Sequence, residues 1–378
     1  MTTLSHRVHG LAADQVPPDW RPLAVDEVGV LLAGYPMLRP AGAIRWCSPR
    51  PLSAAALVET AGGMVFVKRH HRSVRTVATL AEEHAYMGWL RSAGVPVPAV
   101  LADAGGRTAV ARGEWTYEVH TQAEGIDLYR EAASWTPLHN LAHAHAAGAM
   151  LARLHDAADG YTAKQRGTHL LVARSELIQA HDPLAALAAQ LPERPGLAMY
   201  LGRRDWHAEI GETLAPFHAR VHAQLAAQRP LWTHGDWHVS NLCWREAGTQ
   251  VQITAVLDFG LAARTFALFD LATAIERNAI AWLALDSGHA AAHPETARAL
   301  IAGYRSRRAL GAADLHLLAD LLPLVHVDFA LSEVEYFSAV TRSETNADVA
   351  YHTFLRGHAA WFGTPPGQAL LQGIRTLA

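Results

Sequence analysis

One stretch of this sequence constrains the fold and chemistry of the chain more than any other. It reads His234-Gly235-Asp236-Trp237-His238-Val239-Ser240-Asn241, and Asp258-Phe259-Gly260 follows it. Residues 250–257 alternate between apolar and polar side chains after a turn that contains Gly248, a pattern typical of a β-hairpin. A hairpin folds back on itself, so we expect Asn241 at its start and Asp258 at its end to lie side by side. Two oxygen ligands and nucleotide phosphates suit Mg²⁺, so this pair predicts a magnesium site.

The spacing of these motifs also predicts a reaction. His-x-Asp-x-x-x-x-Asn followed by Asp-Phe-Gly is the spacing of the catalytic loop and the metal loop of kinases. In that pair of loops the first aspartate, here Asp236, takes the proton of the acceptor hydroxyl. A dinuclear hydrolase centre at His234, Asp236 and His238 is an alternative, but it leaves Asn241 and Asp258 without a role. The motifs favour transfer of the γ-phosphoryl group of ATP to an alcohol.

The form His-Gly-Asp, with Trp237-His238 in the loop, resembles the aminoglycoside phosphotransferase / choline kinase / type II homoserine kinase-like superfamily over most of the chain. The resemblance implies an α+β, bilobal protein-kinase-like fold, with a small antiparallel-sheet N-lobe at residues 1–122 and a mostly helical C-lobe at residues 123–378. It also implies ATP and Mg²⁺ as cofactors and an ordering role for His234. The implied acceptor is a small-molecule alcohol, aminoglycoside-, choline- or homoserine-like. The choice between ATP and GTP stays open.

Composition limits the class of protein and its partners. The chain has 378 residues, of which 50% are hydrophobic and 18% are charged, enough apolar material for two lobes with cores. A formal net charge of −3 gives no basic field for nucleic acid or an anionic membrane. Two cysteines, no apolar signal-peptide core in residues 1–18 and no membrane-spanning apolar run predict a cytoplasmic protein. The sequence gives no indication of the oligomeric state.

Three strands are predicted near the start of the small lobe, at residues 43–47, 54–60 and 64–68. In the resembled fold the loop after the first strand covers the ATP phosphates and the third strand carries a phosphate-binding lysine. Ser53 and Lys68 take these places, although Lys68 also fits a surface lysine at a strand end. No Gly-x-Gly-x-x-Gly precedes the strands. Small residues such as Ser53 would still let backbone N–H groups approach a phosphate.

A helix predicted at residues 77–92 carries two glutamates, Glu82 and Glu83. A buried lysine needs a carboxylate to keep its charge, and the family pattern favours Glu83 over Glu82 as the partner of Lys68. A solvated helix acid is the alternative for either glutamate. The interlobe hinge is expected around Thr121 and Ala123, where backbone groups would bind the adenine.

Two further patterns in the large lobe bear on the function of the chain. His139 and His143, spaced i, i+4 on a helix predicted at residues 138–155, fit a metal site with His145 nearby. The 23 histidines of the chain make such pairs common by chance. The second signal is the short connection from Gly260 to a helix beginning at Asp270, which leaves no room for the activation segment of a regulated protein kinase. A bacterial protein Ser/Thr kinase of the same fold and a nucleotide-binding regulatory module remain alternatives.

Four acidic residues of the large lobe have structural as well as functional interpretations. Asp270 is expected to cap its helix by accepting backbone N–H bonds. Asp328, Glu333 and Glu335 lie on a helix within the predicted stretch 313–336, which can face the acceptor in the resembled families. An acidic wall would suit a cationic acceptor, but ordinary solvated helix acids fit the pattern as well.

Overall fold

The computed structural model describes residues 6–7, 15–16, 19–48, 50, 52–130, 132, 135–138, 140–248 and 250–378. A short two-stranded ribbon, β1 (His6–Arg7) with β2 (Gln15–Val16), comes first. The rest of the segment used to predict the absence of a signal peptide lies outside the described residues.

The small lobe is built on a five-stranded antiparallel sheet. In chain order it contains α1 (Val25–Leu32), β3 (Ala41–Cys47), β4 (Ala54–Thr60), β5 (Gly63–His71), α2 (Val77–Ser92), β6 (Ala109–Arg112) and β7 (Trp115–Thr121). The strand order is β3-β4-β5-β7-β6. All three strands predicted at residues 43–68 are present, and an isolated bridge joins Val100 to His120.

Period-two burial explains why these segments form a sheet. Val58 on β4, Val67 on β5 and Val119 on β7 are fully buried and belong to one apolar cluster with the leading helix α1, as expected for β-branched residues on one face of a sheet. The other face carries Lys68, which lies directly opposite Glu118 on β7.

Helix α2 connects the two lobes. Thr76 caps it by accepting a hydrogen bond from the Thr79 N–H. Its buried residues Tyr86 and Leu90 belong to the apolar cluster of the large lobe, and the Tyr86 hydroxyl donates to the Trp232 carbonyl at 2.9 Å. Helix α2 therefore fixes the small sheet against the large lobe.

The large lobe is mostly helical. Its first part contains α3 (Leu141–Ala158), α4 (Glu176–Gln179), α5 (Pro183–Gln190), α6 (Pro195–Leu201), α7 (Trp206–Ala226), β8 (Pro230–Thr233), β9 (Leu242–Ala247), β10 (Gln250–Val256) and β11 (Ala263–Phe266). Its second part contains α8 (Ala267–Asn278), α9 (Pro294–Arg305), α10 (Ala312–Leu321), α11 (Val327–Tyr336), α12 (Glu344–Asp348), α13 (His358–Trp361) and α14 (Pro365–Arg375). The α+β class with a five-stranded small lobe and a helical large lobe is confirmed.

One departure from the expected helices has a local cause. The single helix predicted over residues 313–336 is divided into α10 and α11 by a 3₁₀ turn, Leu322–Leu324, because Pro323 has no N–H for the helical ladder. A π-helical segment, Val349–Gly357, lies between α12 and α13. No helix within the described ranges is long and apolar enough to cross a membrane.

Helices α3 and α9 approach each other through two glycines. A Cβ on Gly148 would lie 1.9 Å from the Leu300 carbonyl oxygen, and a Cβ on Gly303 would lie 1.9 Å from the His145 carbonyl oxygen. Either side chain would overlap the backbone of the facing helix. Only glycine at both positions permits this close crossing.

Candidate active site

Two strand pairs bring together the His-Gly-Asp loop and the Asp-Phe-Gly loop. Strands β9 and β10 form the predicted antiparallel hairpin, with Leu242 paired to Val256. Strands β8 and β11 pair through Thr233 and Ala263. One loop joins β8 to β9, and the other joins β10 to β11. Both loops therefore connect the same two strand pairs and lie next to each other.

The loop from His234 to Asn241 depends on a glycine at its second position. Gly235 has φ = 77°, a left-handed conformation that side chains other than glycine adopt at a cost. A Cβ there would lie 2.7 Å from the Ala173 Cβ and 2.7 Å from the Leu261 carbonyl oxygen. These contacts explain why the residue between His234 and Asp236 is glycine, since any side chain there would overlap its neighbours.

Asp270, on helix α8, binds the start of the same loop. Its buried carboxylate accepts hydrogen bonds from the N–H groups of His234 at 2.8 Å and Gly235 at 2.9 Å, and from His155 Nε2 at 3.0 Å. Burial raises the pKa of Asp270, but these hydrogen bonds and the neighbouring histidine charge outweigh burial and lower it. The expectation that Asp270 caps its own helix is wrong, since the residue caps the catalytic loop instead.

Asp236, the predicted catalytic residue, lies among groups that keep it ionised. Asn241 donates to its Oδ2 at 3.0 Å, His238 Nε2 lies 3.4 Å from Oδ2, and an Arg277 Nη1 lies 3.5 Å from Oδ1. Burial raises the pKa of Asp236, but the charges of His238 and Arg277 outweigh it and hold the pKa well below its ordinary value. The carboxylate is therefore a proton acceptor at neutral pH.

The predicted metal ligands do lie side by side. The Leu257 N–H donates to the Asn241 carbonyl at 2.8 Å, and His234 Nε2 donates to the Leu257 carbonyl at 2.8 Å, so His234 orders both loops. The Asn241 amide nitrogen donates hydrogen bonds to Asp236. The amide oxygen, Asn241 Oδ1, is therefore the atom of this side chain that suits a cation. Asp258 has φ = 53°, and its side chain is 44% exposed. One amide oxygen and one open carboxylate fit Mg²⁺.

Lys68 contacts a different carboxylate from the one expected. Its ammonium group lies 2.8 Å from Asp258 Oδ1, whereas Glu83 lies 3.4 Å from an Arg166 nitrogen. Burial lowers the pKa of Lys68, but the charges of Asp258, Glu118 and Glu83 outweigh it and raise the pKa. Glu83 therefore acts on Lys68 through its charge at longer range, and the structure does not form the direct Lys68–Glu83 ion pair.

The ion-pair partner of Glu83 is Arg166. This fully buried arginine donates to the Gly260 carbonyl at 2.8 Å and to the Thr79 carbonyl at 3.1 Å. Glu82 approaches the same guanidinium at 3.9 Å. Arg166, which sequence reasoning missed, thus ties helix α2 to the Asp-Phe-Gly loop.

A cavity of about 250 Å³ lies between the lobes and contains the nucleotide-binding residues predicted from the sequence. Its lining includes Ser53, Lys68, Glu83, Thr121, Ala123, Asn241 and Asp258. Thr121 ends strand β7 and Ala123 follows it, which places the predicted hinge at one end of the cavity wall.

A second cavity of about 180 Å³ adjoins the first. Five residues line both: Arg50, Ser53, Lys68, Asn241 and Asp258. Asp236 lines only the second cavity, together with His238 and Arg277. The two cavities therefore meet at the predicted metal ligands and the lysine, and Asp236 belongs to the second cavity alone.

The wall of the second cavity is mostly apolar, and it contains four aromatic residues and one further acid. The aromatic residues are Trp135, Phe329, Phe337 and Phe354. Glu333, on α11, is buried, and its Oε2 has no hydrogen-bond partner within the described part of the chain. Burial, and then the nearby carboxylates, raises the pKa of Glu333 to about 8. The interpretation of Glu333 as a solvated helix acid is wrong.

The other two acids of helix α11 have separate surroundings. Glu335 pairs with Arg194 at 2.7 Å. Asp328 is buried, and burial raises its pKa to about 6. Neither residue lines the second cavity, so Glu333 is the acid of this helix that faces the candidate acceptor site.

The rival metal sites gain no support from the geometry. His139 lies outside the described residues, and His143 hydrogen-bonds Tyr129 at 2.6 Å and Glu246 at 2.8 Å. Within the described residues the groups spaced to hold a metal are His84–Glu118–His120 and Glu276–His326–His358. Neither group includes a residue of the predicted helical or hydrolase sites.

Comparison with known proteins identifies related sequences and structures. The sequence model of the Phosphotransferase enzyme family matches residues 52–316. No curated protein matches the chain.

Solved structures share the fold. A microcompartment-associated aminopropanol kinase is 20% identical, with a TM-score of 0.58 over 92% of this chain and 100% of that chain. An amicoumacin kinase in complex with AMP-PNP, Ca²⁺ and amicoumacin is 14% identical, with a TM-score of 0.57 over 93% and 92%. An aminoglycoside phosphotransferase from Alicyclobacillus acidocaldarius is 15% identical, with a TM-score of 0.52 over 95% and 97%. These likenesses confirm the bilobal kinase-like fold.

Proposed function

Since this chain belongs to the phosphotransferase enzyme family, we propose that it transfers the γ-phosphoryl group of ATP to a hydroxyl group of a small molecule. The observation that carries this proposal is the pair of adjoining cavities. They share Lys68, Asn241 and Asp258, and Asp236 lines only the second cavity. A nucleotide in the first cavity and an alcohol in the second would meet at that junction.

Each predicted residue has a role in nucleotide binding. Residues 1–122 would form the nucleotide-binding lobe and residues 123–378 the catalytic lobe. The backbone around Thr121 and Ala123 would bind the adenine, and the loop ending at Ser53 would cover the phosphates. Lys68, whose charge is stabilised by Asp258 and Glu83, would neutralise the α- and β-phosphates. Asn241 and Asp258 would hold Mg²⁺, which neutralises phosphate charge when bound.

Asp236 would position and deprotonate the acceptor. The hydroxyl oxygen attacks the γ-phosphorus, the bond from that phosphorus to the bridging oxygen breaks, and ADP leaves with the electron pair. The hydroxyl proton passes to the Asp236 carboxylate, which the surrounding charges keep ionised. Most of the rate enhancement in such a transfer comes from positioning and charge neutralisation.

The acceptor cavity supports an alcohol that has an apolar body and one protonated amine. The aromatic side chains of Trp135, Phe329 and Phe354 would cover the body, and Glu333 has an unpartnered buried oxygen for the amine. A buried carboxylate becomes far more favourable when a cation pairs with it. One of the structurally similar enzymes is named for aminopropanol, an alcohol that bears an amine, which is in keeping with such an acceptor.

The test is ADP release in the presence of Mg²⁺ and a panel of amino alcohols, choline-like alcohols, homoserine, aminoglycosides and a generic protein substrate. Acceptor-dependent turnover should fall by about 10²- to 10⁴-fold in Asp236→Asn, and circular dichroism should show that the variant is folded. Glu344→Gln, which changes an exposed acid on α12, is the matched control and should keep full activity. Full turnover by a folded Asp236→Asn enzyme contradicts the proposal.

Two other functions are distinguished by the same experiment. Six residues, 261–266, connect Gly260 to α8, and four of them form β11, which counts against a peptide-docking activation segment. Phosphorylation of the protein substrate alone would nevertheless identify a protein kinase. Nucleotide binding without turnover of any acceptor would identify a regulatory module.

A further inference from the structure

The loop between β3 and β4 places an arginine at the junction of the two cavities. Arg50 lines both the nucleotide cavity and the acceptor cavity. Only five residues of the described chain do so, and Arg50 and Lys68 are the two cations among them. The small side chain of Ser53 predicts a backbone role for this loop, and no sequence pattern marks Arg50.

Arg50 is held in place by the catalytic loop. Its Nη2 donates to the Ser240 hydroxyl at 2.8 Å and to the Ala132 carbonyl at 3.4 Å. Asp127, Asp236 and Asp258 lie close enough for their charges to stabilise the guanidinium. The arginine thus bridges the phosphate-covering loop of the small lobe and the catalytic loop of the large lobe.

The junction needs positive charge at this place. The transferring phosphoryl group carries negative charge on its three outer oxygens, and two carboxylates, Asp236 and Asp258, line the second cavity. Lys68 directs its ammonium group to Asp258. A planar guanidinium presents five donors and binds phosphate oxygens in pairs, so Arg50 supplies the donors that a glycine-rich loop would otherwise provide from its backbone.

We propose that Arg50 is a catalytic residue that binds the γ-phosphoryl group of ATP and stabilises it during transfer. This inference rests on the proposed function. Arg50 forms and breaks no covalent bond. It would neutralise the outer oxygens while the acceptor oxygen replaces the bridging oxygen of ADP, as positively charged side chains do in other phosphoryl transfers.

The experiment compares two nucleotides that differ in the third phosphate. Binding of ADP and of the non-hydrolysable AMP-PNP, each with Mg²⁺, is measured by titration calorimetry for the wild-type protein, Arg50→Gln and Arg50→Lys. Arg50→Gln should weaken AMP-PNP binding on the order of 10- to 100-fold and leave ADP binding within about twofold. Arg50→Lys keeps the charge without the paired donors. Its AMP-PNP affinity should therefore lie between those of the wild-type protein and Arg50→Gln.

A control variant separates the loss of Arg50 from the loss of any arginine of the small lobe. Arg45→Gln changes an exposed arginine on β3 and should leave both affinities unchanged. Ser240→Ala removes a hydroxyl that accepts from Arg50, so it should weaken AMP-PNP binding in the same direction as Arg50→Gln and by less. Equal weakening of ADP and AMP-PNP in Arg50→Gln overturns the inference.

The turnover result completes the test. With any acceptor found by the panel, Arg50→Gln should lower kcat by about 100- to 1,000-fold with little change in the KM of the acceptor. An unchanged kcat overturns the catalytic role. The nucleotide titrations need no acceptor, so failure to find one refutes the proposed function without affecting the measurement on Arg50.

Discussion

Replacing Glu333 by glutamine should make the protein more stable, and increasingly so as the pH rises. The wild-type carboxyl is buried and lacks a partner on Oε2 within the described residues. Burial raises the pKa of Glu333 to about 8 and is the largest cause. The charge of Arg277 lowers this pKa, and the charges of Asp236 and Asp19 raise it. Glutamine has nearly the same shape and no charge to desolvate.

The sign and size of the effect follow from linkage between proton binding and folding. The pKa is 4.5 in the reference state and about 8 in the folded protein, so the folded state binds more protons between these values. Stability from this group is fully present below pH 4.5 and is lost as the pH rises towards 8. At about 1.4 kcal/mol per pH unit, the loss is about 3 kcal/mol at pH 7 and about 5 kcal/mol above pH 8.

The assay is urea unfolding of wild type and Glu333→Gln at several pH values from 4.5 to 9. Each pH is compared within the pair, because other acids such as Asp328 also titrate in this range. The difference in unfolding free energy should grow with pH and become constant above pH 8. Glu344→Gln, an exposed acid, should give a small and constant difference. A constant difference for Glu333→Gln refutes the argument that its carboxyl is buried without a partner.

Three further predictions follow from close contacts. Gly235→Ala should lower kcat strongly and destabilise the protein by about 2 kcal/mol or more, since it combines a left-handed conformation with two 2.7 Å contacts; wild-type turnover contradicts this. Gly148→Ala should cost about 1–3 kcal/mol, because its Cβ would lie 1.9 Å from the Leu300 oxygen, and thermal melting measures it against Gly29→Ala, where the new Cβ meets no atom within 4 Å. Asp270→Asn should cost about 3–5 kcal/mol by breaking its buried pair with His155, and a urea midpoint equal to wild type would rule this out.

The sequence predicted the parts of the site that depend on short-range patterns. The alternation of residues 250–257 and the turn before them were sufficient to place Asn241 beside Asp258, because a hairpin brings its own ends together. The period of helix α2 gave its bounds, residues 77–92. Lys68 could be placed on its strand because the tight turn at Ala61-Gly62 fixes the register of β4 and β5.

Other parts depend on contacts between distant segments, and single-sequence patterns do not encode them. Glu83 was assigned to Lys68 by spacing, but Arg166, far along the chain, pairs with it instead. Glu333 carries the same signal in the sequence as a solvated acid, because the aromatic cavity around it is assembled from several helices. Their roles become visible only when the burial of each carboxylate and its partners are known.

Helix α8 shows why the catalytic loop can be so irregular and still hold Asp236 in place. All its residues from Leu268 to Asn278 are buried, which is costly for polar side chains unless each finds a partner. Asp270 binds the N–H groups at the start of the loop. Asn278 donates to the Trp237 carbonyl at 2.8 Å and accepts from the Val239 N–H at 3.1 Å. Arg277 pairs with Asp236 itself. Two polar side chains of the helix thus bind backbone groups of the loop, and a third pairs with its carboxylate, so the helix fixes the position of Asp236.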